Sequence, residues 1–449
     1  MTTSFSYQTE LPLYAEADVV VAGGGPAGIG AALAAARNGA SVLLIEQRGF
    51  LGGMATVSLV PSYTPYSDRE KPVIRGIGYE ILQALKEAMQ QGLKEKFRDV
   101  IDWVPIEPEN LKLILDAKMQ EAGVRLLYHT FISDVIRGEG GRIDALVIHN
   151  KSGSRAVKAK WFVDATSDAD LVWRAGGAFQ KGDDGGELQP ATMCFVLSRL
   201  NRSRFEAFAS EHGPLHTHIE RAKESGELKV LHNWAAFSFY NESDCGFNFG
   251  HVTGIDGSNA DDLTRGAVEG RKLVHHIADW LRRRIPGFEQ AVVAQTGEQI
   301  GIRETRRIVG DYTVTFDDFT SCRSFPDDIA RNAYYIDVHL SKPLLDGKTY
   351  IDKIFLPPGK SHGIPYRALL PVGFANLFVA GRSISADRTT QGSMRVMPTC
   401  FAFGEAAGTA GALLTQANGT DTRDVDIDAL QRQLVKQGAW IGEDHLQEG

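Results

Sequence analysis

The chain has 449 residues, too many for one hydrophobic core, and this length predicts about two to three domains. Hydrophobic residues make up 43% and charged residues 23%, and the net charge of -8 argues against nucleic acid or an anionic membrane as the main partner. The N-terminal stretch lacks the features of a signal peptide, and no apolar run approaches the ~18 residues of a membrane span.

The first predicted unit is a strand, a helix and a second strand. Residues 18–22, DVVVA, form a short apolar β-branched run, which predicts a buried strand. An alanine-rich helix follows over 27–39 and ends at Gly39, a residue that suits a helix C-terminus. SVLLIE, residues 41–46, predicts a second strand, parallel to the first by the crossover rule. Residues 18–46 therefore predict one βαβ unit.

The glycines after the first strand suit a phosphate-bearing cofactor. Gly23, Gly25 and Gly28 follow the G-x-G-x-x-G pattern. They permit, in that order, a tight turn, close approach of a pyrophosphate to the unpaired N–H groups of the helix, and packing of helix on strand. Glu46 ends the second strand, where a carboxylate accepts a ribose hydroxyl hydrogen bond and repels a 2′-phosphate. This unit predicts a site for NAD or FAD and leaves the choice between them open.

The next predicted elements are two helices and a group of strands. Apolar residues recur every four positions over 76–97, which predicts one amphipathic helix, and 108–122 predicts another. Strand-like runs broken by GEGG and NKSG over 124–160 predict a three-stranded antiparallel meander, followed by one more strand, WFVDA, at 161–165.

The middle of the chain changes character and predicts a second, α+β domain. A polar loop at 181–190 precedes aromatic-rich segments and an amphipathic helix at 262–284. Strands are predicted at 192–200, 234–240, 246–250 and 307–316. The βα pattern then returns, with a strand and turn at 376–385 and a small-residue helix at 398–416.

The cysteines and histidines show no metal-binding pattern. Cys194, Cys245, Cys322 and Cys400 are scattered singly, which predicts a reduced, cytoplasmic protein without a structural zinc. None of the 12 histidines lies beside a cysteine or carboxylate at metal-ligand spacing, so no metal is expected.

Four segments together resemble the FAD-dependent oxidoreductases of the glutathione-reductase-like fold, and most closely the branch related to succinate dehydrogenase and fumarate reductase. The segments are the βαβ unit with QRGFLGGMAT, FVDATSDADL at 162–171, GIRETRRIVGDYTVT at 301–315, and GIPYR to GTAGA at 363–412. NAD-only dehydrogenases have no reason to carry the second and fourth segments, so the resemblance implies FAD. The branch can tether FAD through a histidine before its glycine pair; EQRGFL, before Gly52 and Gly53, has none, which implies non-covalent FAD.

The resemblance also implies the fold and the domain limits. The fold class is α/β, a Rossmann-like FAD-binding domain of glutathione-reductase type with an inserted α+β substrate domain. Residues 1–179 form the first part of the FAD-binding domain, 180–350 the substrate domain and 351–449 the C-terminal part of the FAD-binding domain.

The residues expected on FAD come from these segments and from the meander, and Ser167 stands where the family pattern has glycine. They are Gly23, Gly25, Pro26, Ala27, Gly28, Glu46, Gln47, Arg48, Gly52, Gly53, Met54, Ala55, Thr56, Phe131, Ile132, Ala165, Thr166, Ser167, Gly381, Arg382, Arg395, Val396, Met397 and Thr399.

Catalytic candidates come from segments expected on the open face of the flavin. His339 follows an Asp-x-His pattern that the branch often shows, and either it or His362 is the candidate base. Arg395, before the late helix, is a candidate for binding the flavin carbonyl or a substrate carboxylate, and Tyr366 is the remaining catalytic candidate. The arginines at 303, 306 and 307 are expected to join the two domains, with one of them able to reach the pocket.

The expected activity is transfer of a hydride between a small molecule and FAD, the substrate being an alcohol, sugar, hydroxy acid or amine. Reduction of an activated C=C bond is the first alternative. A flavin monooxygenase ranks lower, because a second dinucleotide fingerprint is missing and Gly381-Arg382 replaces Gly-Asp. A non-catalytic flavoprotein is a further alternative. The sequence leaves open the electron acceptor and whether the chain forms a homo-oligomer.

Overall fold

The structure is a computed structural model that describes residue 5, residues 8–342, residue 348 and residues 350–443. Its α-helices are α1 (Pro26–Arg37), α2 (Gly76–Glu87), α3 (Gln91–Phe97), α4 (Pro108–Glu121), α5 (Asp170–Arg174), α6 (Arg202–His212), α7 (Leu215–Glu224), α8 (Ala260–Arg284), α9 (Phe316–Thr320), α10 (Arg388–Met394), α11 (Met397–Ala417) and α12 (Ile427–Lys436).

The strands range from two-residue pairings to the twelve residues of β8. They are β1 (Leu13–Ala22), β2 (Val42–Ile45), β3 (Ser62–Tyr63), β4 (Val104–Pro105), β5 (Arg125–Leu127), β6 (Phe131–Arg137), β7 (Ile143–Asn150), β8 (Gly153–Asp164), β9 (Phe179–Lys181), β10 (Ala191–Thr192), β11 (Phe195–Ser198), β12 (Ala236–Phe239), β13 (Cys245–Asn248), β14 (His251–Val252), β15 (Val292–Thr296), β16 (Arg306–Ile308), β17 (Asp328–Asn332), β18 (His362–Pro365) and β19 (Leu377–Val379).

The main sheet has the order β5-β2-β1-β8-β7-β6, and β19 pairs with the end of β8. β1 is parallel to β2 and to β8, and β2 is parallel to β5, so the predicted βαβ unit is confirmed. Val19, Val20 and Val21 are fully buried, as a strand covered on both faces requires. The result is a mixed α/β architecture in which the parallel strands end at one edge, where ligands of open α/β sheets bind.

Besides its parallel ladder with β1, β8 belongs to two further strand ladders. Its first half pairs antiparallel with β7, which also pairs with β6, and this confirms the three-stranded meander. Its last residues, Phe162 to Asp164, pair parallel with β19. WFVDA is therefore the end of β8 rather than an additional strand, since the strand runs without a break from Gly153 to Asp164.

α1 and α11 pack closely enough to exclude side chains from part of their contact. A Cβ on Gly404 would lie 1.8 Å from the carbonyl oxygen of Ala27, and a Cβ on Gly408 2.0 Å from that of Ala31. The small residues of the late helix are thus required by this packing. Both helices begin at the same cavity, described below.

A second hydrophobic core is built from residues between Ala191 and Ile302. The sheet β12-β13-β11-β15 carries Phe195 and Phe247, whose rings stack with centroids 5.2 Å apart, and α8 contributes buried apolar residues such as Trp280. The first core lies on the main sheet and includes residues of α1 and α11. Ile329, although within the predicted substrate domain, packs in this first core. The predicted domain limits stay a prediction.

Three predicted elements are wrong in extent. The strand predicted over 192–200 is divided between β10 and β11, which belong to different sheets. The helix predicted over 76–97 is broken, because Gln90 is extended, with ψ of 147°, between α2 and α3. Of the strand predicted over 307–316, only its start forms a strand, in β16. The rest pairs with separate loops: Asp311 N–H donates to Leu370 O, and Val314 N–H donates to Ser385 O.

Across residues 8–342 and 350–443, no helix combines the length and apolar character needed to cross a membrane. The four cysteines are free thiols, and three of them are buried.

Candidate active site

A cavity of about 750 Å³ lies where the main sheet meets the second core. One end is lined by the turn after β1 and the residues after β2, and its walls include the segment after β8 and the start of α11. The other end is lined by residues of the second core, such as Thr192 and His251, and by the segment that carries His339. Elements distant in sequence therefore share one space.

The glycine turn leaves a helix N-terminus open toward this cavity. Gly23 has a φ of +102°, and a Cβ on Gly28 would lie 1.8 Å from the carbonyl oxygen of Gly23, so both positions require glycine. Gly25 is the N-cap of α1 and offers no side chain to the first N–H groups. A Cβ on Gly25 would meet only Gly53 Cα, at 3.9 Å, so its surroundings are open.

Glu46 is held in place by the backbone around it. Its Oε2 accepts the Gly24 N–H at 2.6 Å and its Oε1 accepts the Arg48 N–H at 2.8 Å. Burial raises the pKa of the Glu46 carboxyl, against the lowering effect of these hydrogen bonds. The carboxyl group is thus fixed beside the glycine turn, where a ribose is expected.

Most of the predicted cofactor residues line the cavity. They are Gly23, Gly25, Pro26, Ala27, Glu46, Gln47, Arg48, Gly53, Met54, Phe131, Ile132, Ala165, Thr166, Ser167, Gly381, Arg382, Arg395, Val396 and Met397. Gly28, Gly52, Ala55, Thr56 and Thr399 lie behind this lining. Thr56 Oγ1 donates to Leu51 O at 2.7 Å and Thr399 Oγ1 donates to Asn332 Oδ1 at 3.0 Å, so these two hydroxyls have structural partners.

Arg382 joins the two cores beside the cavity. Its Nε donates to Ser167 O at 2.9 Å, its Nη1 donates to Ile302 O at 2.6 Å, and its Nη2 pairs with Asp168 at 2.6 Å. Thr305 Oγ1 donates to the same Asp168 carboxylate at 2.5 Å. The segment 302–305 is thereby fixed to the segment after β8.

A cluster of three histidines lies at the far end of the cavity, and this convergence was not predicted. His339 Nε2 lies 3.3 Å from Asp337 Oδ1, and its Nδ1 lies 3.3 Å from His232 Nδ1. The His232 and His251 rings stack with centroids 4.1 Å apart. Asp337 also binds Arg395, whose Nη2 lies 3.2 Å from Asp337 Oδ2.

These contacts fix the protonation of the histidines. Because a carboxylate only accepts, His339 Nε2 carries a proton toward Asp337, and the neutral ring keeps its lone pair on Nδ1. Burial and the Arg303 charge lower the pKa of His339, and burial with the His339 and Arg303 charges lowers that of His232 to about 3. Burial acts to raise the pKa of Asp337, but His339, Arg395 and Arg303 hold it below its usual value.

Arg303 lies in the cavity wall, whereas the neighbouring arginines are structural. Its Nη1 donates to Pro190 O at 2.7 Å and to Thr192 Oγ1 at 2.9 Å, and its Nη2 lies 3.1 Å from His251 Nε2. Burial and then the Arg395 charge lower its pKa to about 10. By contrast, Arg306 pairs with Asp170 at 2.9 Å.

His362 and Tyr366 lie outside the cavity lining, so the geometry corrects their placement near the reaction site. His362 is fully buried on β18, where its Nε2 lies 3.0 Å from Asn332 Nδ2. Burial and the Arg331 charge lower its pKa to about 3. The Tyr366 hydroxyl donates to Thr422 O at 2.7 Å. His362 thus contacts β17 and α9, and Tyr366 contacts β19 and the C-terminal segment.

Aromatic side chains form the rim of the cavity. Trp234 is 55% exposed and Trp103 is 49% exposed, although both line the cavity. Lys353 Nζ lies 5.6 Å from the Trp234 ring centroid and 4.8 Å from that of Tyr335. Exposed aromatic surface at a cavity mouth is typical of a binding site for a ring or an apolar group.

Sequence reasoning missed His232, His251 and Trp234 as site residues. His232 and Trp234 lie in the loop before β12, and His251 begins β14, which pairs with β10 next to Arg303's partner Thr192. No local spacing marks residues that meet only through sheet pairing. The one available signal was that both histidines adjoin aromatic-rich predicted strands.

The residues at the glycine end fit FAD. The uncapped N-terminus of α1 and the open space at Gly25 suit a pyrophosphate, and Glu46 suits a ribose. The N-terminus of α11 also lacks a side-chain cap at Val396 and opens on the same cavity, so its positive end is available to an electron-rich ring. One continuous cavity thus offers partners for both ends of the cofactor.

The chain is similar to solved structures of two enzymes. p-Nitrophenol 4-monooxygenase PnpA from Pseudomonas putida DLL-E4 is 11% identical, with 95% of this chain and 87% of that chain covered and a TM-score of 0.48. L-proline dehydrogenase from P. horikoshii is 13% identical, with 95% and 99% covered and a TM-score of 0.42. At these values neither likeness supports a functional argument. A comparison with curated proteins gave no match.

A family model described as FAD dependent oxidoreductase matches residues 18–434, nearly the whole chain. The match spans the glycine turn, the histidine cluster and the start of α11, so the complete cavity lies within it. The chain therefore belongs to the FAD-dependent oxidoreductase family, and its cofactor is FAD.

Proposed function

We propose that this enzyme transfers a hydride between a small-molecule substrate and non-covalently bound FAD, with His339 handling the accompanying proton. One observation carries the proposal: a single cavity extends from the glycine turn at Gly25 to His339. FAD, when bound, supplies a two-electron acceptor that takes up or returns a hydride. The protein has to supply a proton acceptor, a means of orienting the substrate and a site shielded from water.

His339 is suited to accept the proton at Nδ1. Asp337 accepts the Nε2 proton at 3.3 Å, which orients the ring and leaves the lone pair on Nδ1. When Nδ1 takes up a proton, the adjacent carboxylate stabilises the resulting cation. Until then, burial and Arg303 keep the ring neutral by lowering its pKa, so it is ready to act as a base at neutral pH.

The nitrogen that takes the proton is shared with a neighbour. His232 Nδ1 lies 3.3 Å from His339 Nδ1, and since the latter holds a lone pair, His232 donates to it. A substrate hydroxyl or amine that reaches His339 therefore replaces the His232 hydrogen bond. His232 is thus a positioning residue that keeps His339 aligned while the substrate is absent.

We further infer that the FAD-binding domain is of glutathione-reductase type and close to the succinate dehydrogenase and fumarate reductase branch. The meander β6-β7-β8, which follows β5 and precedes β19 along the chain, supports the first inference. The Asp-x-His sequence at 337–339, with both side chains in the cavity, supports the second. The absence of histidine from residues 47–51 supports non-covalent FAD.

Anaerobic flavin bleaching tests the proposed function. Purified holoprotein is mixed without oxygen with sugars, hydroxy acids and amines, and the loss of flavin absorbance is followed. His339→Ala is expected to slow bleaching by roughly 10²-fold or more while FAD content is retained. Asp337→Asn is expected to slow it less, because the base remains but its orientation is lost.

His149→Ala is the matched control, since this histidine is exposed on β7 and its ring bonds the Ser154 hydroxyl, away from the cavity. Bleaching by His339→Ala at the rate of this control would overturn the role of His339. A holoprotein that no reductant substrate bleaches would overturn the proposed hydride transfer itself.

A further inference from the structure

Arg303 is a cation without an anionic partner. Its hydrogen-bond acceptors are neutral: a carbonyl oxygen, the Thr192 hydroxyl and His251 Nε2. Within the described parts of the chain, no carboxylate pairs with it, and its Nε and the second proton of Nη2 find no acceptor. A largely desolvated guanidinium without a counter-ion is unfavourable, so the cavity it lines favours an anion.

We propose that Arg303 binds a carboxylate group of the substrate, so that the enzyme acts on an organic acid. This inference rests on the proposed function, because it names the substrate class for the same cavity. A guanidinium presents N–H groups in a fork that matches a carboxylate, and the hydrogen bonds of Arg303 within the described residues use Nη1 and Nη2 but not Nε.

The charges around Arg303 support an anion. Asp337 is the carboxylate that acts most strongly on the pKa of Arg303, and it is already shared between Arg395 and His339. The three histidines are neutral at pH 7 because burial and the neighbouring positive charges depress their pKa values. Two arginines therefore face one carboxylate, and this end of the cavity has an excess positive charge. Lys353 adds a further positive charge at the rim.

The same three histidines could be read as a metal site, since their ligand atoms lie within 4.8 Å of one another. The hydrogen bonds oppose that interpretation. Arg303 can only donate, so it occupies the lone pair of His251 Nε2 and leaves the proton of this ring on Nδ1. His339 likewise keeps its Nε2 proton for Asp337. A metal ion would also lie beside the Arg303 charge, which repels it.

Arg303 is held by residues at the end of the cavity that borders the second core, not by residues at the glycine-turn end. Its partners Pro190, Thr192 and His251 belong to β10, β14 and the loop before them, which border the second core. The glycine turn and Glu46, where the FAD phosphates and ribose are expected, supply none of its partners. A charge held from this side is suited to a ligand other than the cofactor phosphates.

The test uses holoprotein and the flavin absorption spectrum. Benzoate is titrated into the protein at neutral pH and constant ionic strength, and benzamide, of the same shape but uncharged, is titrated in parallel. We expect a saturable change in the flavin spectrum with benzoate and at least roughly tenfold weaker binding of benzamide. Equal binding of the two probes, or no binding of benzoate, would overturn the proposal without any variant.

Variants then locate the charge. Arg303→Met is expected to weaken benzoate binding by roughly tenfold or more with unchanged FAD content, and Arg303→Lys, which keeps the charge but loses the paired N–H geometry, is expected to be intermediate. Arg265→Met, on the exposed face of α8, is the matched control. Unchanged benzoate binding in both Arg303 variants, or loss of FAD from both, would overturn the assignment of Arg303 to the substrate.

A metal control and the bleaching assay complete the test. Zn²⁺ is titrated into the holoprotein and into His251→Ala, and we expect no stoichiometric binding that depends on His251. Stoichiometric Zn²⁺ binding that His251→Ala abolishes and that competes with benzoate would overturn the anion site. Arg303-dependent benzoate binding combined with normal bleaching by His339→Ala would leave this inference standing and remove the base from the proposed function. The two proposals can therefore fail separately.

Discussion

Glu405 is a buried carboxyl group on α11 whose ionisation opposes folding. Its Oε2 accepts the Ile77 N–H at 2.9 Å, while its Oε1 has no partner among the residues described. Burial raises the pKa of Glu405 from its usual value of 4.5 to about 8. The folded protein therefore holds this proton over a pH range in which the unfolded chain has already released it.

The sign and size of the effect follow from that shift. Between about pH 4.5 and about pH 8 the folded state binds the extra proton, so stability falls as pH rises, and the loss is complete above the folded pKa. A shift of this size corresponds to a loss on the order of 4 kcal/mol between about pH 5 and about pH 9. Glu405→Gln keeps an acceptor for the Ile77 N–H but cannot ionise, so it should avoid this loss.

Urea unfolding of FAD-saturated protein at the two pH values measures the effect. The variant is expected to match wild type near pH 5 and to be more stable near pH 9, by an amount on the order of a few kcal/mol. Glu121→Gln, at the exposed end of α4, is the control and should follow wild type at both values. The reasoning would be refuted if the difference in unfolding free energy between Glu405→Gln and wild type were the same at both pH values.

Two further predictions concern the cavity. Gly25→Ala should lower FAD content and raise the Kd for FAD by roughly tenfold or more, because the added methyl enters the space expected for the pyrophosphate. The thermal stability of the apoprotein should be unchanged, since the methyl meets only Gly53, at 3.9 Å. FAD retained at the wild-type level would contradict this placement. Trp234→Ala should raise KM for a ring-bearing substrate by roughly threefold to thirtyfold with little change in kcat, because Trp234 contacts the substrate at the rim and not at the reacting atoms. Steady-state kinetics measure both constants, and a fall in kcat alone would argue against a binding role for Trp234.

The βαβ unit was predictable because its signals are local. The apolar run before Gly23, the alanine-rich helix and the terminal Glu46 all lie within one stretch, and α1 and β2 end within one or two residues of the predicted bounds. β1 begins earlier than predicted, at Leu13, because its first residues pair with β8. That pairing depends on a partner more than a hundred residues away, which hydrophobic periodicity cannot show.

The far end of the site was predictable only in part. His339 and Asp337 are two residues apart, so their convergence could be anticipated from an extended segment, in which alternate side chains share a face. His232, His251 and Arg303 come from three segments of the second core and meet through sheet pairing and loop packing. The sequence contains each residue but no local pattern that relates them.

The contacts of Arg382 bear on how a substrate reaches this enzyme. The guanidinium bonds Ser167 and Asp168, which follow β8, and also Ile302 of the second core. A hinge motion that swung the two cores apart would have to break the charge-assisted bond to Ile302 O and the hydrogen bond from Thr305 to Asp168. Such an opening is costly during every turnover. We therefore expect substrate and product to enter and leave the cavity past the exposed ring of Trp234, while the two cores keep their relative position.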